Sequence, residues 1–101
     1  MDIKKLMKQA QEMQKKMEET QEKLKDIIVD ASTGGGMVTV KMNCKMDVID
    51  IDIKEEVIKA EDKEILKDLL ISAFNEAKRK AESVAQENIG KITGGMNLPG
   101  L

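Results

Sequence analysis

Ile3, Leu6, Ala10, Met13, Met17, Leu24 and Ile27 recur at alternating spacings of three and four, with Thr20 as the one polar member of the series. That period lays an apolar seam along a helix. Residues 2 to 26 contain neither Gly nor Pro, and the positions between the seam residues are mostly Lys, Glu and Gln, all good helix formers. Glu12 with Lys16 and Glu19 with Lys23 are spaced for i,i+4 pairs worth a few tenths of a kcal/mol each. A helix of this length runs roughly 37 Å, as long as the whole globule expected from a radius of gyration of about 13 Å for 100 residues, so its seam calls for a partner outside its own body.

Past Asp26 the period changes from helical to alternating. "IIVDAS" is β-branched; "MVTVKMN" sets Val38, Val40 and Met42 against Thr39, Lys41 and Asn43; "KMDVIDIDI" sets Ile49, Ile51 and Ile53 against Asp50 and Asp52. Three short strands with short connections predict an antiparallel meander, polar on one side. Asp50 and Asp52 fall on the wet face and Asp47 on the other, which reads as a solvated strand face rather than a metal site. Gly34, Gly35 and Gly36 precede a strand, with no helix start and no Lys-Ser/Thr after them. They are read as a hairpin turn at positive φ and not as a phosphate-binding loop.

The last periodic segment, "DKEILKDLLISAFNEAKRKAESVAQENIG", opens on Asp62 as N-cap and is expected to stop at Gly90. Leu66, Leu69, Leu70, Ala73, Phe74, Ala77, Ala81, Val84 and Ala85 share one side, with alanines at every fourth position. Such a ridge lets another backbone come close, either the chain's own sheet or a second molecule. The fold class is therefore α+β: a long N-terminal helix, a three-stranded antiparallel sheet and a long C-terminal helix. Residues 1–90 form a single domain, and 91–101, with three glycines and the only proline, a flexible tail.

Composition narrows the chemistry. Absence of His removes the commonest general base and transition-metal ligand, so an enzyme is not expected, nor a cofactor. One Phe, with no Trp or Tyr, leaves nothing to stack unpaired bases, which argues against single-stranded nucleic acid. Cys44 has no disulfide partner and sits in a turn beside Lys45; one lysine is thin evidence for an activated thiolate, and the residue reads as an incidental reduced thiol. No segment approaches a membrane span, and the N-terminus has no signal-peptide core, so a cytoplasmic location is expected. Net charge is −2, from 17 basic and 19 acidic residues. The basic residues are clustered: Lys4, Lys5, Lys8, Lys15 and Lys16 face only Asp2 and Glu12 within the first 16 residues, and Lys78, Arg79 and Lys80 are consecutive. Acids dominate 47 to 68.

The segments "LMKQAQEMQKKMEE", "GGGMVTVKMN", "DKEILKDLLISAFNEAKRKAE" and "TGGMNLPGL", together spanning nearly the whole chain, resemble the YbaB/EbfC family of bacterial nucleoid-associated DNA-binding proteins. One departure is the turn after the second strand, where such proteins often carry Asn-Gly and this chain reads Asn43, Cys44, Lys45. The resemblance implies a tweezer-like homodimer that binds double-stranded DNA in the nucleoid with little sequence preference, organising it or regulating genes. It brings no catalytic residue, small-molecule substrate or membrane. The DNA-binding candidates are this chain's own basic positions: Lys4, Lys5, Lys8, Lys15 and Lys16 on the first helix, and Lys78, Arg79 and Lys80 on the last. The alternative is a coiled-coil interaction or prefoldin-like chaperone subunit that grips proteins. Such a subunit should carry heptads on both terminal helices.

Overall fold

The computed structural model describes residues 2–93. Helix α1 (Ile3–Leu24) is followed by strands β1 (Ile28–Thr33), β2 (Val38–Asn43) and β3 (Val48–Ile53), two single 3-10 turns at Glu55–Val57 and Ala60–Asp62, and helix α2 (Lys63–Thr93). The order α-β-β-β-α is the one expected. The carboxylate of Asp2 caps α1 by accepting from the Lys5 backbone N–H. At its other end α1 is pinned to the sheet: Leu24 is buried, and its carbonyl accepts from the backbone N–H of Cys44.

The strands form one antiparallel sheet in the order β1-β2-β3. Val38, Val40 and Met42 on β2 are buried against Ala73, Ala77 and Ala81 of α2, with Ala31 from β1 in the same cluster. The alanine ridge therefore seats α2 on its own sheet, where three side chains without γ-carbons let the helix approach closely. Full burial of Val38 and Val40 contributes roughly 1.5–3 kcal/mol each relative to exposure. Thr33 Oγ1 donates to the Leu69 carbonyl at 2.8 Å and fastens the end of β1 to α2.

Gly34, Gly35 and Gly36 have φ of 61°, 68° and 94°, the left-handed turn expected of them. At the second hairpin the left-handed position is taken instead by Met46, at φ 69°. Asn43 makes this possible. Its Oδ1 accepts from the backbone N–H groups of Lys45 and Asp47, both at 3.0 Å, so this side chain is buried in the turn rather than solvated on the outer strand face.

Three expectations are corrected. Gly90 does not stop α2, which continues to Thr93: this glycine is not at positive φ, and within a helix glycine costs about 1 kcal/mol relative to alanine without ending it. Alternation along β3 is broken by a register shift, since Lys41 pairs with Asp50 but Met42 with Val48, which leaves Ile49 as the extra residue and Val48 exposed beside it. The Glu12–Lys16 and Glu19–Lys23 pairs are not among the ion pairs of the described residues, whereas Lys25–Glu22, Lys67–Glu64 and Arg79–Glu76 close at i,i+3. Most of the expected tail lies outside the described residues.

The shape is elongated, 70 × 24 × 16 Å with a radius of gyration of 19.4 Å against the roughly 13 Å of a globule this size. The two helices account for it. α2 leaves the sheet beyond Ala81, and its outer part runs beside the sheet-proximal half of α1, where Met13, Met17, Thr20 and Gln21 are half-buried. The first turns of α1 project further, with Ile3, Leu6 and Met7 exposed at 68%, 51% and 58%.

Candidate nucleic-acid interface

All eight basic residues singled out from the sequence are exposed. Lys4, Lys5 and Lys8 stand on the projecting end of α1, and Lys15 and Lys16 where α2 joins it; among the described residues, none of these five side chains is in an ion pair or hydrogen bond. The 78–80 run divides. Lys78 is unpaired. Arg79 is held by Glu76, whose carboxyl its hydrogen bond and charge pull below the ordinary carboxylate range. Lys80 reaches across to the sheet and donates to the Asp30 carbonyl at 2.9 Å. Two of the three therefore have a structural use already, and they sit beside the sheet rather than along the arm.

One feature of the arm escaped sequence reading. A solvent-open cleft of about 320 Å³ lies between α1 and α2, lined by Lys16, Glu19, Thr20, Lys23, Asn88 and Lys91. Only Lys16 was a candidate. The missed signal was spacing: Lys16 and Lys23 lie four before and three after Thr20, and Lys91 three after Asn88, which puts them on the same helix faces.

Cys44 lies apart from the arm, in the second hairpin turn. It is buried at 2% exposure, and burial pushes its thiol pKa up, outweighing any pull toward the thiolate from Lys45. Asp50 and Asp52 are exposed, opposite Lys41 and Thr39, as a solvated face requires. No helix among the described residues is long and apolar enough to cross a membrane.

Comparison with known proteins places the chain and its fold. A nucleoid-associated protein of Alkaliphilus metalliredigens is 54% identical over 96 residues, covering 95% of this chain and 84% of the relative. One from Acetivibrio thermocellus is 50% identical over 101 residues, covering 99% and 89%. The crystal structure of the uncharacterized protein HP0035 from Helicobacter pylori superposes with a TM-score of 0.75 at 31% identity, over 95% of this chain and 97% of that one. The YbaB/EbfC DNA-binding family matches residues 1–96, and the chain belongs to that family.

Proposed function

We propose that this protein binds double-stranded DNA as a nucleoid-associated homodimer, holding the duplex by its phosphates with little sequence preference. The observation that carries the reading is the arm: two helices laid side by side beyond the sheet, with Lys4, Lys5, Lys8, Lys15 and Lys16 along it in no ion pair among the described residues. Lysine is a flexible point charge suited to phosphate contact, and phosphate contact gives affinity without base readout. The second helix supports DNA over a prefoldin-like subunit, because its alanine face is consumed by the sheet rather than free for a second coiled-coil seam.

Dimerisation is supported by what α2 leaves bare. It packs on β1 and β2. Edge strand β3 and the chain after it carry exposed Val48, Ile49, Ile51, Ile58 and Ile65. An exposed apolar edge strand is a pairing surface, and a second copy offers the same surface in return.

The test separates the two parts. Replacing Lys4, Lys5, Lys8, Lys15 and Lys16 by Gln should abolish retention of a long duplex at low salt while sedimentation still reports a dimer. Unchanged retention removes these residues from the interface. Ile49→Lys with Ile51→Lys should convert the dimer to monomer with the circular dichroism spectrum preserved; a dimer that survives places the interface elsewhere.

A further inference from the structure

The cleft between α1 and α2 is built differently from the rest of the arm. Along the packed face of α1 the series Met13, Met17, Leu24 is interrupted once, at Thr20. On the outer part of α2, Val84 and Ala85 are followed by Asn88 on the same side. These two interruptions meet across one cleft instead of facing apolar partners. Three ammonium groups, Lys16, Lys23 and Lys91, surround them, and among the described residues none is in an ion pair or hydrogen bond. Among the described residues that line the cleft Glu19 is the sole carboxylate, so this lining carries an excess of positive charge.

The geometry points to an anion seat for a single phosphate group, in the first instance a phosphodiester of the DNA backbone. This rests on the DNA reading above and deepens it by naming a specific contact. Lysines supply charge from both helices, and the Thr20 hydroxyl supplies a donor. The Asn88 amide is held by donating to the Val84 carbonyl at 2.9 Å, which leaves its second N–H for a phosphoryl oxygen. At about 320 Å³ the cleft admits a phosphoryl group with several waters, each taking roughly 30 Å³. A phosphate seated there touches both helices at once and fastens the arm it binds. Free inorganic phosphate shares the chemistry and is the alternative source.

The probes are inorganic phosphate and a long mixed-sequence duplex, each titrated into the full-length protein while backbone amide shifts are recorded. Localised, saturable shifts at Thr20, Lys23, Asn88 and Lys91, lost in Lys23→Gln/Lys91→Gln, support the seat; shifts with the duplex alone assign it to DNA, and with phosphate alone to the free ion. For DNA, the double variant should lower the magnitude of the log affinity against log salt slope by about 0.9 per cleft. Lys45→Gln/Lys59→Gln, with the same charge change away from the arm, should leave the slope unchanged. Thr20→Val should weaken binding with no change in charge, and Glu19→Gln should tighten it. A duplex that binds with an unchanged slope in Lys23→Gln/Lys91→Gln, and no localised shift from either probe, overturns the seat while the DNA reading stands. A wild-type protein that binds no duplex sinks the DNA reading, and the phosphate titration then decides the seat alone.

Discussion

At the scale of single residues, the same apparent feature has different physical content at different positions. Three adjacent glycines all have positive φ, yet only Gly34 is also closely packed: a Cβ added there would come within 2.8 Å of Leu69 Cδ2, while Gly35 faces open space. Backbone strain costs roughly 1–2 kcal/mol for an L-residue in this region. Gly35→Ala should therefore lose about 1 kcal/mol in urea unfolding and Gly34→Ala somewhat more, by the displacement of Leu69 from α2. Equal losses would mean that Leu69 swings aside freely. Cys44 gives a second residue-level expectation. Its buried thiol should alkylate more than about tenfold slower in the native protein than in denaturant. The sign of its pH linkage follows from the raised pKa. The native state favours the neutral thiol, so this contribution to stability is complete below the ordinary thiol range of about 8.5 and is lost as pH rises through the higher folded value. Cys44→Ser should flatten that alkaline decline in denaturant midpoints; an unchanged decline would assign it to other groups.

At the scale of elements, order and type were legible because hydrophobic period and burial coincide: Val38, Val40 and Met42 alternate in sequence and are buried together, and the alanines at every fourth position are the ones that meet them. What stayed illegible depended on contacts between elements. The β3 register shift follows from pairing with β2, and the second turn is set by the buried Asn43 side chain rather than by a glycine. Candidate basic residues could be named from charge runs, but their availability could not. Arg79 is spent on a neighbour in its own helix, whereas Lys80 is spent on a strand 50 positions away. Lys23 and Lys91 acquire significance only once the helices lie together. The alanine ridge makes a firm prediction at this scale. Ala77 is fully buried between helix and sheet, so Ala77→Leu must push α2 off β1 and β2 at a cost of about 1–3 kcal/mol. A loss below about 0.5 kcal/mol would show that the seat yields. α1 should in turn show graded amide exchange: fast over residues 3–10, where every side chain is exposed, and slow near Leu24, where the helix is tied to Cys44.

For the whole molecule, length and charge work together. Nine acids against four lysines occupy residues 47 to 68 around the sheet edge and the start of α2, while the projecting end of α1 is basic, so a net charge of −2 hides a separation of charge along a 70 Å body. Under the proposed function, a duplex is repelled by the body and attracted by the arm, which orients the approach and keeps the sheet away from the phosphates. Attraction of this kind is confined to a few Debye lengths, about 10 Å each at 0.1 M salt, so the arm must reach the backbone before it contributes. Affinity should consequently be modest and steeply dependent on salt. If six phosphates are neutralised per dimer, log affinity falls against log salt with a slope of about −5, and raising salt from roughly 50 to 200 mM costs about a thousandfold in binding. Fluorescence anisotropy with a labelled long duplex across that range measures the slope directly, and duplexes of unrelated sequence should give the same one. A slope near zero would mean that no phosphate is neutralised and that the lysine arm is not a DNA-binding device. A steep slope that differed between sequences would mean instead that base edges are being read.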